Sequence, residues 1–236
     1  MGKKNNLILV FLFLNGILAT GTAYAWNKIT YLPHWYNHNS GQSVSLNKGE
    51  PNLLKVKLET GKGVSHGENN QVNISLNETE LTALMTQRLA QTPKTAPILQ
   101  ATKGIKASIE GEQVSGGMVV QPSQLPDRAQ HILLQVLPMA GDRPIYISVN
   151  GSPTVQNGRI FLSENTQVNL GSVSLSLADI TKVTGLSKSA INQQVNLAVS
   201  EAGLSVDSIE LVNGELMLRG TKTKLTAQDI KNLVDR

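Results

Sequence analysis

The stretch from Leu7 to Trp26 is uncharged and mostly apolar, and it constrains the whole chain because it cannot fold like the polar remainder. As a helix it would cross a hydrocarbon core of about 30 Å, and Lys3 and Lys4 before it satisfy the positive-inside rule. The small-residue motif Ala23-Tyr24-Ala25 would equally suit a signal peptidase. Two interpretations stay open for residues 1–26: a single-pass anchor with the C-terminal part outside the cytoplasm, or a signal peptide cut at Ala25-Trp26 that yields a secreted or periplasmic protein.

An aromatic cluster follows directly: Trp26, Tyr31, Trp35 and Tyr36. Beyond it, only Tyr146 and Phe161 are aromatic. Trp and Tyr concentrate where a membrane meets water, so these four rings are predicted to be membrane-interface residues. We expect residues 27–52 to form an aromatic juxtamembrane segment and a polar linker, and residues 53–236 to form one extracytoplasmic domain.

Charge and cysteine usage exclude several classes of function for the predicted domain. The chain has a net charge of +4, of which Lys3 and Lys4 supply two, so the exported part lacks the basic surface that nucleic acid requires. It has no cysteine, which excludes a disulfide framework, a thiolate metal site and a cysteine nucleophile. The partners that remain are the membrane, a lipid ligand or another envelope protein.

Short apolar or alternating runs predict a sheet. The predicted strands are Leu53–Leu58, Gln71–Leu76, Ile105–Glu110, Gly117–Gln121, Ile132–Leu137, Ile145–Val149, Arg159–Leu162, Val168–Leu175, Val206–Val212 and Glu215–Arg219. Alternation of apolar with polar residues indicates a sheet with one face exposed to solvent. Asn157-Gly158 and Asn213-Gly214 predict type I′ hairpin turns.

Helix starts share a pattern that occurs three times. Asn77 with Glu80 predicts a capping box, and a similar pattern of a polar N-cap followed by an acidic residue occurs within residues 175–180 and 225–230. A further helix is predicted over Ser187–Ala202, ending at Gly203. Ordinary capping explains this recurrence, and an internally duplicated binding module is the alternative. The predicted fold class is α+β: a mostly antiparallel, twisted sheet with several helices packed on one side, in a single domain behind the N-terminal hydrophobic helix.

Motifs for catalysis and metal binding are weak. Gly63-Val64-Ser65-His66-Gly67 matches the nucleophile elbow of serine hydrolases, but that motif needs a helix directly after it, and a strand-like run follows instead. His34 and His38 are four residues apart, too few for a metal site, and Pro33 interrupts a helix there. We therefore predict a non-enzyme without a cofactor or a metal, and keep a hydrolase at Ser65 as a remote alternative.

The predicted core consists of Leu, Ile, Val and Ala, which suggests an aliphatic groove between sheet and helices that would suit acyl chains. The leading hypothesis is an envelope protein that binds lipid or a lipid-linked envelope component there. The alternative is a protein-interaction module that assembles with an envelope partner through exposed sheet edges.

Three stretches carry a resemblance to a known family. They are Ile74-Ser75-Leu76-Asn77 with Glu80-Leu81 and Leu84, Gly104-Ile105 with Ile109 and Gly111, and the closing hairpin Ile209–Leu216. Over residues 70–236 this pattern resembles the YpmS-like bacterial extracytoplasmic proteins, and more loosely the LmeA-like group, which is associated with phospholipid binding. The resemblance implies an elongated lipid-handling or envelope-associated domain without catalytic residues, and it assigns no binding residues.

Overall fold

A computed structural model describes residues 28–36, 52–67, 70–91, 95–136, 141–176 and 188–223. In chain order the elements are α1 (Leu53–Thr60), β1 (Val64–His66), β2 (Gln71–Leu76), α2 (Glu78–Gln91), α3 (Ala96–Gln100), β3 (Thr102–Glu110), β4 (Gln113–Val120), a 3₁₀ turn (Pro122–Gln124), α4 (Asp127–Val136), β5 (Ile145–Gly151), β6 (Pro153–Gln156), β7 (Arg159–Leu162), β8 (Gln167–Leu170), β9 (Val173–Ser176), α5 (Lys188–Glu201), β10 (Leu204–Val212) and β11 (Glu215–Lys222).

The described strands form three sheets, and neighbouring strands are antiparallel in all of them. The four-stranded sheet has the order β1-β2-β11-β10, the five-stranded sheet β3-β4-β5-β8-β9, and β6 pairs with β7 alone. This arrangement confirms the predicted α+β class with antiparallel strands and packed helices.

The two predicted Asn-Gly turns are confirmed. Asn157 and Gly158 have φ values of 52° and 73°, and Asn213 and Gly214 have 53° and 76°. A type I′ turn needs positive φ at both central residues, which Asn and Gly tolerate better than other residues. The first turn joins β6 to β7, and the second joins β10 to β11.

The capping box at the start of α2 is also confirmed. The backbone N–H of Glu80 donates to Asn77 Oδ1 over 2.9 Å, and the backbone N–H of Asn77 donates to Glu80 Oε2 over 3.1 Å. Glu80 Oε1 also accepts from Lys57 Nζ of α1 over 2.6 Å, so the cap residue ties the two helices together. The similar patterns at 175–180 and 225–230 lie largely or wholly outside the described residues.

Two predicted strands are helices. Leu53–Leu58 belongs to α1, where Asn52 caps the first turn and Gly61 ends the helix with φ of 72°. The apolar alternation was misleading, because Leu54 and Leu58, four residues apart, are the buried pair. Residues 132–136 belong to α4, which begins at Asp127, and an acidic residue is favourable at the positive N-terminal end of the helix dipole.

One predicted strand is a hairpin. The run Val168–Leu175 was predicted as one strand because it contains no charged residue and no proline, but Gly171 adopts φ of 61° and turns the chain between β8 and β9. Val64–His66, which none of the predicted strands includes, forms the short edge strand β1.

Two aliphatic clusters form the described core. The first joins the four-stranded sheet to α1, α2 and α5 through residues such as Leu58, Ile74 and Val199. The second lies on one face of the five-stranded sheet, where Val120, Ile145 and Leu133 pack together with residues of α3 and α4. The helices therefore cover the apolar faces of both larger sheets.

Side chains from two helices pair with the open edges of strands. From α2, Thr82 Oγ1 accepts from the N–H of Ala107 over 2.8 Å, and Glu78 Oε1 accepts from the N–H of Ile109 over 2.9 Å. These two N–H groups belong to β3, an edge strand.

The helix α5 repeats this arrangement on β7. Asn196 Oδ1 accepts from the N–H of Ile160 over 2.7 Å, Asn196 Nδ2 donates to the Ile160 carbonyl over 2.7 Å, and Asn192 Oδ1 accepts from the N–H of Leu162 over 3.1 Å. Four helical residues rise about 6 Å and two strand residues about 6.6 Å, so the two spacings match. Both strands thus have edge groups satisfied from within the chain.

No helix within residues 28–36, 52–67, 70–91, 95–136, 141–176 and 188–223 has the length and apolar character to cross a membrane. The predicted leader, residues 1–26, lies outside these ranges.

Candidate functional site

The face of the five-stranded sheet opposite the helices is polar. Register places Ser108, Ser115 and Asn150 side by side across β3, β4 and β5. A second row holds Lys106, Gly117, Ser148 and Asn169 across β3, β4, β5 and β8. Paired residues in antiparallel strands point to the same side, so the two rows form a polar floor.

Hydrogen bonds fix the floor side chains. Ser115 Oγ donates to Asn150 Oδ1 over 2.6 Å, and Asn169 Nδ2 donates to Ser148 Oγ over 3.2 Å. Ser148 is only 2% exposed. The other amide atom of Asn169, Oδ1, is buried and accepts no hydrogen bond from the described part of the chain. A buried acceptor of this kind is costly unless a ligand or water satisfies it.

Residues 28–36, which we call the strap, dock onto this sheet. The carbonyl of Lys28 accepts from the N–H of Ser172 over 2.7 Å and from its Oγ over 2.9 Å. A Cβ on Gly171 would collide with the carbonyl oxygens of Lys28 and Ile29, so the strap approaches the β8–β9 turn as only glycine permits. Ile29 also packs against the second core cluster.

The rings of the strap lie over glycines of the sheet. A Cβ on Gly104 would come within 3.1 Å of Trp35 and 3.4 Å of Tyr36. Trp35 meets Tyr146 edge to face, with centroids 5.9 Å apart, and Tyr146 in turn covers Gly117. Edge-to-face pairs at this distance are favourable, so the rings hold the strap in place.

Between the strap and the polar floor lies a groove of about 470 Å³. Its upper wall comes from Tyr31, Pro33, His34 and Trp35. Its floor consists of both polar rows without Gly117, together with Glu110, Gln113 and Tyr146. The volume falls in the range of small-molecule sites, about 300–1,000 Å³, and the lining combines aromatic rings with many hydroxyl and amide groups.

The formal charges of the groove cancel. Lys106 and Glu110 both lie on β3 and both line it. Lys106 Nζ is 3.9 Å from the Glu78 carboxylate, and both side chains are 41% exposed, so this ion pair is weak. The site therefore presents hydrogen-bonding groups rather than a field of one sign.

The predicted membrane-interface residues have the following positions. Trp26 lies outside the described residues. Tyr31 and Trp35 line the groove, and Tyr36 packs near Gly104. Tyr31 is 43% exposed, whereas Trp35 and Tyr36 are half-buried against the sheet. Membrane contact by these rings stays a prediction, and their packing against the sheet was not predicted.

Ser65 lies on the exposed edge strand β1, and it is not at the strand-to-helix turn that a nucleophile elbow requires. Its Oγ accepts from Asn73 Nδ2 over 3.2 Å, and the chain returns as β2 rather than entering a helix. His66 is exposed on the same strand. In the described ranges no three His, Asp or Glu side chains are grouped as metal ligands would be, and His38 lies outside those ranges.

No protein-family model, curated protein or solved structure matches this chain. The resemblance to YpmS-like and LmeA-like proteins therefore stays a prediction. The evidence for the groove comes from the structure of this chain alone. One feature of the sequence could have predicted its polar floor. In β3 the polar residues Lys106, Ser108 and Glu110 alternate with apolar ones, and this predicts a polar face.

Proposed function

We propose that this chain is a non-catalytic envelope protein that holds the hydrophilic part of a lipid-linked envelope component at a membrane surface. The observation that carries the proposal is the groove between the strap and the polar floor, bounded by Trp35 and Asn150. Its volume and its mixture of rings with hydroxyl and amide groups suit a small polar ligand. We assign it no catalytic residue, cofactor or metal.

The position of the strap supports the link to a membrane. Lys28 is docked by Ser172, and only two residue steps separate it from Trp26 at the end of the predicted leader. Two extended residues span at most about 7 Å. If the leader is an anchor, the groove lies close to the lipid headgroups, within reach of a ligand whose acyl chains remain in the bilayer.

The polar lining favours the hydrophilic part of such a ligand over its acyl chains. The aliphatic groove expected between sheet and helices would lie on the opposite face, where Ile145 and Leu133 belong to the packed core. Hydroxyl and amide groups such as those of Ser108 and Asn150, which are partly exposed, gain nothing from hydrocarbon and lose hydrogen bonds to water. Binding of acyl chains between sheet and helices remains a separate proposal.

Assembly through exposed sheet edges receives less support. The edge strands β1 and β9 have three and four residues, which gives a partner little to pair with. The longer edge strand β3 already donates N–H groups to Thr82 and Glu78 of α2. An added strand at β3 would have to displace these side chains. The nine-residue edge strand β10, which has β6 beside it, is therefore the long edge that stays open to this second proposal.

Mild-detergent extraction of the full chain, followed by native mass spectrometry, tests the proposal. We expect an additional mass of a lipid-linked component on the wild type and on Asn73→Ala, and its loss from Asn150→Ala. Asn73 is the matched control because it is an asparagine on the outer face of the other sheet, hydrogen-bonded to Ser65 and Arg219. A bare polypeptide across several gentle preparations, or equal retention by both variants, would contradict the proposal.

A further inference from the structure

The groove floor offers both hydrogen-bond donors and hydrogen-bond acceptors. The hydroxyl groups of Ser108 and Ser148 can each donate and accept, and the amides of Asn150 and Asn169 each carry both functions. Asn169 Oδ1 is a buried acceptor that the described chain leaves unused. Such a surface matches a ligand that also presents many groups able to donate and accept, which is the property of a polyol.

The charges of the groove argue against an ionic ligand. A phosphate or carboxylate is usually held by clustered Arg or Lys side chains or by a helix N-terminus. Here Lys106 is the one cationic Lys or Arg side chain among the described lining residues, and Glu110 lies two residues further along the same strand. The ammonium of Lys106 would repel a cationic ligand, and the carboxylate of Glu110 would repel an anionic one. A neutral ligand is repelled by neither group.

The strap adds an apolar wall above this polar floor. Tyr31, Trp35 and Tyr146 all line the groove, and the contact between Trp35 and Tyr146 fixes two of the rings. Aromatic rings offer a rigid apolar surface at low entropic cost. A ligand that fits between such a wall and such a floor has an apolar face and a rim of hydroxyl groups, which is the chemistry of a sugar ring.

We infer that the groove recognises a neutral oligosaccharide, with Asn150, Asn169 and Ser108 as its polar contacts and Trp35 as its apolar one. This inference rests on the proposed function and specifies the ligand class of the same groove. The saccharide would be the hydrophilic part of the lipid-linked component, and the groove would recognise it by hydrogen bonds rather than by charge.

Tryptophan fluorescence of the full chain in mild detergent tests the inference directly. The chain has two tryptophans, so Trp26→Phe leaves Trp35, at the groove, as the sole tryptophan, which excitation at the red edge of its absorption selects over the tyrosines. The probes are oligomers of glucose and of N-acetylglucosamine, with glycerol phosphate and inositol phosphate as charged comparators. We expect a saturable change of Trp35 emission with at least one neutral oligomer.

Variants in the same background locate the binding. Asn150→Ala and Ser108→Ala should each weaken the apparent affinity by about three- to tenfold, the effect of one lost hydrogen bond, while Asn73→Ala should leave it unchanged. Ser108→Ala is a second test of the groove in case Asn150→Ala fails to fold, because no hydrogen bond of the Ser108 hydroxyl is found in the described part of the chain. Far-UV circular dichroism checks that each variant folds.

Two outcomes would overturn the inference. One is the absence of a response to both neutral oligomers, and the other is an equal response in wild type and groove variants. The first outcome includes a response to the phosphates alone, which leaves the proposed function standing because a charged headgroup would then be the ligand. The proposed function itself is removed by a separate result: no co-purifying mass on the wild type, or equal retention of that mass by Asn150→Ala and Asn73→Ala.

Discussion

Replacement of Gly171 by alanine should release the strap from the sheet. Gly171 has φ of 61°, and a Cβ there would collide with the backbone of Lys28 and Ile29. The matched control is Gly111→Ala, because Gly111 has nearly the same φ of 59° but no atom within 4 Å of its would-be Cβ. Both variants carry the cost of a left-handed alanine, about 1 kcal/mol, and only the first carries the collision.

The additional cost follows from the contacts that the strap makes. The Lys28 carbonyl accepts two hydrogen bonds from Ser172, each worth about 1 kcal/mol. The edge-to-face contact of Trp35 with Tyr146 adds about 1 kcal/mol. These energies overlap, so we expect Gly171→Ala to lower the free energy of unfolding by about 3 kcal/mol, against about 1 kcal/mol for Gly111→Ala.

Urea unfolding of the full chain in mild detergent, followed by far-UV circular dichroism, measures both losses. In the Trp26→Phe background, the emission of Trp35 should shift to longer wavelength in Gly171→Ala, since the ring leaves the sheet, and stay unchanged in Gly111→Ala. Equal losses of stability, together with an unchanged Trp35 spectrum in both variants, would refute the reasoning that this backbone contact holds the strap.

Three further variants and one control variant test the packing by the same unfolding assay. Glu80→Gln keeps the helix cap but leaves the ammonium of Lys57, 5% exposed, without its counter-ion, so it should cost about 3 kcal/mol, whereas Glu59→Gln in the exposed pair on α1 should cost less than about 0.5 kcal/mol. Equal losses of stability in Glu80→Gln and Glu59→Gln would disprove the idea that burial of Lys57 makes its ion pair the stronger one. Asn196→Leu should cost about 2–3 kcal/mol by stranding an N–H and a carbonyl of β7, and a neutral result would show that the edge is satisfied otherwise. Thr82→Val, which strands one N–H of β3, should cost about 1–2 kcal/mol, and a stability gain would contradict the pairing.

Local signals in the sequence predicted local structure well. Asn157-Gly158 needs only its own φ preference to make a turn, and Asn77 with Glu80 completes a cap within four residues. Leu53–Leu58 failed because its apolar residues fit both a strand and a helix. The decisive information lay outside the run, in the caps Asn52 and Gly61.

The edge contacts show why tertiary pairing is harder to predict. Asn192 and Asn196 look like ordinary polar residues of an exposed helix face, yet they supply the hydrogen bonds that a neighbouring strand would supply to β7. Their four-residue spacing gains meaning only when a strand with a two-residue spacing lies beside it. Nothing within the helix sequence identifies that strand.

The groove depends on still more distant contacts. Lys28 and Ser172 are 144 residues apart, and the fit of Trp35 to the sheet depends on Gly104 lacking a side chain. The aromatic cluster drew attention as a membrane feature because the later chain has so few rings. In the structure, the scarcity of aromatic residues in the later chain also affects packing. Small polar side chains on one face of the five-stranded sheet leave space, and rings from the strap fill part of it. A ring half-buried against the sheet has less surface left for lipid. Of the three predicted interface residues that the structure describes, Tyr31 is the most exposed, and it is therefore the best candidate among them for contact with the bilayer.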